Sequence, residues 1–407
     1  MPGTFRRLHR GLPHVVALAL AGGGLCLAAF LVRWQIGMRL QCVTHQIAPL
    51  PLHQRNQGLL LQRAAFEAGG VLPVYGSSEL TREERYRAGE FFADSPTGFQ
   101  VCPVGAAGNT CILSLLKIAA LGDAVRGRKL VVVLSPSWFM RPMLPEQQFA
   151  GNFSPLQAIR TLQSTQLSSA LKTRIAARLL DYRDTLEANP DLLLRIRSLV
   201  RPTVFTSLLG PFENTMMSID TCMLEIEDSM LSYYEVLKGG SAARGDTFRL
   251  PSGQAPPWEQ LLADAEAHGT PPAPEMSHVA APSPLDVARR AKFASAENGE
   301  WRDLAMLLDG LNELHARALV IAIPIGGNHD DAEGILASTR HEVYYDRIER
   351  LCRARGVPVR TLEDHDEDER FLVNHMSHPS AIGWVHLDRL LDDFWHDRLD
   401  PAWTTTN

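Results

Sequence analysis

The chain has 407 residues, of which 45 % are hydrophobic and 21 % charged, a composition typical of a globular protein with one or two domains. Its formal net charge of −6 argues against a nucleic-acid partner, because proteins that bind nucleic acid usually present a basic face. The six cysteines include no CxxC pair, so the sequence predicts no cysteine zinc site.

The first predicted element is a transmembrane helix over residues 11–33. The stretch from Gly11 to Val32 contains no Asp, Glu, Lys or Arg. At about 1.5 Å per residue, a helix of this length spans roughly 33 Å, which is enough to cross the hydrocarbon core of a bilayer. The alternative is a cleaved signal peptide, although the apolar run is longer than the usual core of such a peptide.

The charges before this segment favour a cytoplasmic N-terminus. Residues 1–10 contain three arginines, and the cytoplasmic flanks of membrane helices are enriched in basic residues. Residues 1–10 are therefore predicted to be cytoplasmic, and the chain after the helix is predicted to lie outside the cytoplasm.

Residues 34–70 are predicted to form a stalk and a first helix, before an extracytoplasmic domain over residues 71–407. This domain opens with alternating strands and helices, and its continuous apolar strands are typical of a parallel sheet covered on both faces. In chain order they are a strand in "VLPVYG", a helix in "ELTREERYRAGEFF", a strand in "TGFQVCPVG", a helix in "TCILSLLKIAALGDAV" and a strand in "KLVVVLSPSWF".

A helical insertion is predicted over about residues 155–300. A helical block is predicted over roughly 155–235, where apolar residues from Leu156 to Leu179 recur at near-helical spacing. Residues 239–285 are rich in Gly, Ala and Pro and are predicted to be a loop or partly disordered. The remaining elements are a helix over 286–316, a strand in "ALVIAIPIGG", a helix over 337–355, a strand in "GVPVRTLED" and a final helix in "SAIGWVHLDRLLDDFWHDRL". Strands that alternate with helices predict an α/β fold with a mainly parallel sheet.

Polar turns follow three of the predicted strands, at the edge of a parallel sheet where binding sites usually lie. In the first turn, "GSSE", a serine at the start of a helix could attack a substrate, because free N–H groups there can hold an oxyanion. The same serine could equally be a helix cap, since serine is a preferred residue at that position. The turn alone leaves both interpretations open for Ser77 and Ser78.

The second turn, "VGAAGN", could bring backbone close to a ligand at Gly105 and Gly108, and Asn109 offers an amide donor. Near the C-terminus, "NHMSHPSAIGW" contains His375 and His378, and histidine is the usual base for a serine nucleophile. The two histidines could also be half of a metal site, but no further cluster of ligands is evident in the sequence, so no metal is predicted.

These segments resemble the SGNH (GDSL-like) superfamily of hydrolases and acyltransferases, a three-layer α/β sandwich. The turn Gly76–Ser77–Ser78 is similar to the family's serine turn, and His378–Pro379 to its C-terminal histidine. Within the superfamily the chain resembles the DltD family over about residues 10–397. The similar segments are "LPVYGSSELTR", "VVVLSPSWF", "NFSPLQA", "SALKTRIAARLLDY", "IPIGGN" and "HPSAIGWVHLD".

The resemblance implies a membrane-anchored, extracytoplasmic O-acyltransferase that moves D-alanyl or a similar acyl group onto a cell-envelope polymer. In this picture Ser78 is the nucleophile and His378 is the base and then the acid. The implied partners are a DltB-like membrane-bound O-acyltransferase, an acyl carrier protein system and a glycopolymer acceptor, with no cofactor.

The resemblance also implies an oxyanion hole and a substrate pocket. Its further site residues are the oxyanion donors Ser78, Gly105, Gly108 and Asn109, the supporting or orienting residues Ser77, Glu79 and His375, and the pocket residues Ser137, Trp138, Asn328 and Trp384.

Three positions depart from the family pattern. His375 replaces the aspartate that usually orients the histidine, so an orienting carboxylate would have to be Asp364, Asp366 or Glu79, or be absent. Ser137 replaces a glutamine, and "PIGGNH" replaces "PVNGxW". An esterase or thioesterase, and a non-catalytic partner that binds carrier or polymer, therefore stay open beside the acyltransferase.

Overall fold

The computed structural model describes residues 44–95, 97–139, 143–202, 204–242, 255–268, 298–325, 344–374 and 378–399, with scattered positions between 13 and 35. None of the helices in these ranges is both long and apolar enough to span a bilayer. The predicted transmembrane segment, residues 11–33, falls partly outside the described residues and stays a prediction.

A five-stranded parallel sheet forms the centre of the domain, as the alternating sequence pattern predicts. Its spatial order is β2-β1-β3-β4-β5, so the chain leaves β1 towards one side of the sheet and later returns to its other side. Ligands bind at such a reversal in α/β proteins. The strands are β1 (Val71–Gly76), β2 (Gln100–Gly105), β3 (Lys129–Leu134), β4 (Arg317–Ala322) and β5 (Val359–Thr361).

Alternate side chains of the strands enter two separate hydrophobic cores on opposite faces of the sheet. In β1, for example, Tyr75 lies in one core and Val74 in the other, and in β3 Val132 and Val131 divide in the same way. Helices cover both cores, which gives the layered α/β architecture that the sequence predicts.

The helices vary from one turn to 39 residues. They are α1 (His53–Gln57), α2 (Leu60–Glu67), α3 (Ala88–Asp94), α4 (Cys111–Ala119), α5 (Pro136–Phe139), α6 (Glu146–Asn152), α7 (Pro155–Gln163), α8 (Ser169–Leu179), α9 (Arg183–Glu187), α10 (Pro190–Val200), α11 (Val204–Ala242), α12 (Trp258–His268), α13 (Gly299–Glu313), α14 (Asp346–Arg353) and α15 (Ala381–Trp395). Helices α7 to α11 lie between residues 155 and 242, in the first part of the predicted helical insertion.

The helix predicted across "ELTREERYRAGEFF" is wrong at its start. Residues 78–80 form a single 3-10 turn, and α3 begins only at Ala88. The guanidinium of Arg87 donates hydrogen bonds to the carbonyls of Thr81 and Arg82, so this loop satisfies its backbone without a continuous helix.

Part of the segment predicted as a stalk belongs to the folded domain. Arg55 is buried, and its guanidinium donates to the carbonyl oxygens of Ile47, Ala48 and Leu50. These charged hydrogen bonds hold the chain before α1 against the domain.

The predicted loop over 239–285 also contains a helix, α12. Its residues Trp258, Leu261, Leu262 and Ala265 recur at helical spacing and pack on the core that contains Val74. The high Gly and Pro content around the helix hid this periodicity.

A short antiparallel pair that the sequence did not indicate joins β6 (Leu372–Asn374) to β7 (His378–Pro379). Strand β7 leads directly into α15, so the pair fixes His378 at the entrance to the last helix.

We expect Gly105→Ala to destabilise the domain by about 1–3 kcal/mol, as overpacking of a close contact does. A Cβ at Gly105 would lie 2.1 Å from the carbonyl oxygen of Gly76, so β1 and β2 would have to separate at their ends. Chemical denaturation measures the change.

Gly151→Ala is the matched control, because a Cβ at this exposed position in α6 meets nothing within 4 Å. It should leave stability unchanged or raise it by about 0.5–1 kcal/mol, the usual gain in a helix. Equal stability of the two variants would contradict the close contact between the strand ends.

Candidate active site

Ser78 and His378, which are 300 residues apart in the chain, meet at the carboxyl end of β1. Ser78 opens the 3-10 turn after β1, and its Oγ lies 2.8 Å from His378 Nε2. His378 reaches this point from β7, which α15 anchors through the Ser380 side chain at its N-terminus. The arrangement places a hydroxyl within direct proton-transfer distance of an imidazole.

The environment of His378 favours a neutral imidazole. Burial and the nearby positive charge of Arg82 both lower the pKa of His378 from its ordinary value of 6.5. A neutral imidazole can accept the Ser78 proton at Nε2, whereas a protonated one cannot.

Ser77 has a different role from Ser78. Its Oγ donates to the carbonyl of Ala106 at 3.2 Å and accepts from the N–H of Gly108 at 3.1 Å. These bonds tie the turn after β1 to the turn after β2. Although Ser77 precedes the 3-10 turn, its side chain makes no capping hydrogen bond there, so the helix-cap interpretation is wrong for this residue.

Asn109 clamps the same two turns, which corrects its assignment to the oxyanion hole. Its amide nitrogen donates to the carbonyl of Gly76 at 2.8 Å and to Ser114 Oγ at 2.9 Å, so both amide protons are used. Its amide oxygen accepts from the buried Lys117 amine at 2.8 Å. Burial lowers the pKa of Lys117 to about 7.

The predicted glycine donors are also revised. Gly105 does not line the cleft beside Ser78; it pairs with Gly76 where β1 and β2 end. Gly108 does line the cleft, but its N–H donates to Ser77 Oγ. The Ser78 N–H donates to no acceptor among the residues that the structure describes, which leaves it available for an oxyanion.

A cleft of about 260 Å³ opens in front of Ser78 and His378. Ser137 and Trp138 line it as predicted, and Ser137 Oγ lies 2.9 Å from Ser135 Oγ. Trp384 does not: it is 2 % exposed in the core that contains Val74, so its assignment to the pocket is corrected. Asn328 lies outside the described residues.

The sequence offers Glu79, Asp364, Asp366 and His375 as residues that could orient His378. One oxygen of Glu79 accepts from the N–H of Ser77, so Glu79 supports the serine turn rather than the histidine. One oxygen of Asp366 accepts from the Tyr345 hydroxyl and the Ile325 N–H. Asp364 lies in a 3-10 turn, residues 363–365, and His375 lies outside the described residues.

Sequence reasoning missed five polar residues of the cleft, namely Thr110, Ser135, Gln148, Arg178 and Glu300. Arg178 comes from α8, within the segment "SALKTRIAARLLDY" that already resembles a known family. Glu300 comes from α13 and accepts a hydrogen bond from the N–H of Cys111 at 2.8 Å. Only the packing of α13 on α4 brings Glu300 to this cleft.

A family of known proteins matches the segments that carry both Ser78 and His378. The family model described as "DltD protein" matches residues 51–273 and 285–396, which include Ser78 and His378. Protein DltD of Bacillus subtilis (strain 168) is 25 % identical over 394 residues, which cover 94 % of this chain and 96 % of that protein.

Two further relatives carry the same name. Protein DltD of Staphylococcus aureus (strain NCTC 8325 / PS 47) is 23 % identical over 342 residues, 82 % of this chain and 83 % of that protein. Protein DltD of Lacticaseibacillus rhamnosus is 30 % identical over 179 residues, 44 % of this chain and 41 % of that protein.

A fluorophosphonate probe should separate the two adjacent serines. Ser78→Ala is expected to abolish covalent labelling, because it removes the hydroxyl beside His378. Ser77→Ala should still be labelled, but more slowly, since it loses two hydrogen bonds that hold the turn. Mass spectrometry of the labelled peptide gives the site, and a label on Ser77 would contradict this assignment.

The labelling rate should fall as the pH falls, with a midpoint below 6.5. Protonated His378 cannot accept the Ser78 proton, and the lowered pKa of His378 keeps the ring neutral to a more acidic pH than usual. Arg82→Gln removes a positive charge that lowers this pKa, so the midpoint should move upward.

Arg126→Gln is the control, because it also removes one arginine charge but at a different place in the molecule. Arg126 lies beside Asp123 in the turn that follows α4. Its pH profile should match that of the unchanged protein. A midpoint at or above 6.5 in the unchanged protein would refute the neutral imidazole.

Proposed function

The chain belongs to the DltD family, and from this membership we propose that it transfers D-alanyl, or a similar acyl group, onto hydroxyls of a cell-envelope polymer. The observation that carries the proposal is the 2.8 Å contact between Ser78 Oγ and His378 Nε2 at the mouth of a cleft. This contact supports catalysis over a purely binding role, which would not require it.

The first half of the proposed reaction forms an acyl ester on Ser78. His378 Nε2 takes the Ser78 proton while Oγ attacks the carbonyl carbon of an acyl thioester or ester donor. The carbonyl oxygen becomes an oxyanion that the Ser78 N–H stabilises. When the tetrahedral intermediate collapses, the bond to the leaving group breaks and the leaving group takes the proton from His378.

The second half passes the acyl group to the acceptor. A polymer hydroxyl gives its proton to His378 and attacks the ester carbonyl, and Ser78 Oγ leaves with the same proton. Water in place of the polymer hydroxyl would make the protein an esterase or thioesterase by the same steps. Family membership supports the polymer hydroxyl, while the Ser78–His378 contact supports either acceptor.

We further propose that residues 11–33 anchor the domain in the membrane with its catalytic part outside the cytoplasm. The uncharged run from Gly11 to Val32 and the three arginines before it support this topology. In this arrangement the domain acts with a DltB-like membrane-bound O-acyltransferase and an acyl carrier protein system.

A strain deleted for the gene and complemented with Ser78→Ala should show envelope D-alanyl ester at the level of the deletion strain. The ester is measured as D-alanine released from cell walls by mild base. Ser169→Ala, an exposed serine at the start of α8, is the matched control and should restore the unchanged level. Full D-alanyl ester in the Ser78→Ala strain would overturn the proposal.

A further inference from the structure

Two residues that line the cleft each carry a buried polar atom with no hydrogen-bond partner among the described residues. The atoms are Glu79 Oε2 and Thr110 Oγ1, on residues that are 1 % and 2 % exposed. A buried polar atom without a partner costs free energy, and proteins keep few of them. Thr110 stands at the N-terminus of α4, yet its side chain makes no capping hydrogen bond.

The backbone at Gly76 is adapted to the Glu79 carboxylate. A Cβ at Gly76 would lie 2.3 Å from Glu79 Oε1, so only glycine leaves room for this oxygen. Oε1 accepts from the Ser77 N–H, which fixes the carboxylate at the base of the serine turn. The second oxygen, Oε2, is the one left without a partner.

Glu300 supplies a third acceptor group in the same cleft, from helix α13. One of its oxygens is held by the Cys111 N–H, and Asn298 accepts from the Glu300 N–H at the helix N-terminus. Glu79, Thr110 and Glu300 therefore belong to three separate elements that converge on the cleft.

Among the described residues that line the cleft, Arg178 is the one with a permanent positive charge, and it acts on Glu300. The carboxylates of Glu79, Glu300 and Asp303 are all buried, and Arg178 binds Asp303 through two nitrogens and Asp181 through a third. Burial raises the pKa of both Glu79 and Glu300 to about 7. His378 adds no positive charge to the cleft, because its lowered pKa favours the neutral imidazole.

We propose that Glu79, Thr110 and Glu300 bind the ammonium group of an α-aminoacyl substrate while its carbonyl carbon lies at Ser78. A primary ammonium carries one positive charge and three N–H donors, which match two carboxylates and one hydroxyl. An α-amino group is two bonds from the carbonyl carbon, and Glu79 directly follows Ser78 in the chain. The inference rests on the proposed acylation of Ser78 and adds that the cleft selects aminoacyl over plain acyl groups.

The test compares two p-nitrophenyl esters, of D-alanine and of propionate, which differ only in the α-amino group. The quantity measured is the ratio of their kcat/KM values, each divided by the rate of the same ester with imidazole in solution. We expect the unchanged protein to favour the D-alanyl ester at least tenfold. Glu79→Gln and Glu300→Gln should each lower the ratio by about tenfold, the effect of losing one charged hydrogen-bond partner.

Glu83→Gln is the matched control, because Glu83 is exposed in the loop after the serine turn. It should leave the ratio unchanged. A ratio near one in the unchanged protein, or a ratio that neither Glu79→Gln nor Glu300→Gln lowers, would overturn the ammonium site. The first of these outcomes needs no variant, so a folding defect in one variant does not remove the test.

Ser78→Ala separates this inference from the proposed function. Turnover of both esters that survives Ser78→Ala would overturn the proposed function. Turnover that requires Ser78 but ignores the amino group would overturn the ammonium site alone.

Discussion

The Asn109 side chain holds together the two turns on which the rest of the site depends. Its amide protons bind the Gly76 carbonyl, at the end of β1, and Ser114 in α4, while Lys117 holds its oxygen. Every group in this chain of bonds is buried, so removing one would leave the others without partners in a region that water does not reach. The position of Ser78, two residues after Gly76, follows from this clamp.

The position of His378 depends on a different part of the molecule, the core beneath α15. Trp384 and Leu387 bury that helix against the sheet, and the β6–β7 pair leads the chain into it. His378 therefore reaches Ser78 from a rigid support rather than from a loose tail. The tryptophan that the sequence suggested as a substrate contact is part of this support.

Polar groups on the other side of the cleft come from the helices between β3 and β4. Arg178 on α8 and Asp303 on α13 form a buried ion pair, and a Cβ at Gly299 would lie 2.5 Å from the Arg178 guanidinium. Breaking such a buried pair leaves an uncompensated charge, so the two helices are fixed relative to each other. Glu300 lies on the same helix as Asp303, so the ion pair between Arg178 and Asp303 also fixes the position of Glu300 in the cleft.

The sequence by itself determined the central strands and the serine turn, because each rests on a local pattern, whereas the choice of Ser78 and His378 came from the resemblance of several distant segments to the DltD family. Three patterns can each be recognised within a window of about ten residues: an uninterrupted apolar run, a Gly-Ser-Ser turn and a His-Pro-Ser segment. Tertiary structure decided the rest. Asn109 joins two turns, Trp384 lies in the hydrophobic core and Glu300 lines the cleft. These roles depend on contacts with residues up to 189 positions away in the chain. Which side chains converge on a cleft depends on how helices pack, and side-chain packing is set by shape over the whole core rather than by any short stretch of sequence.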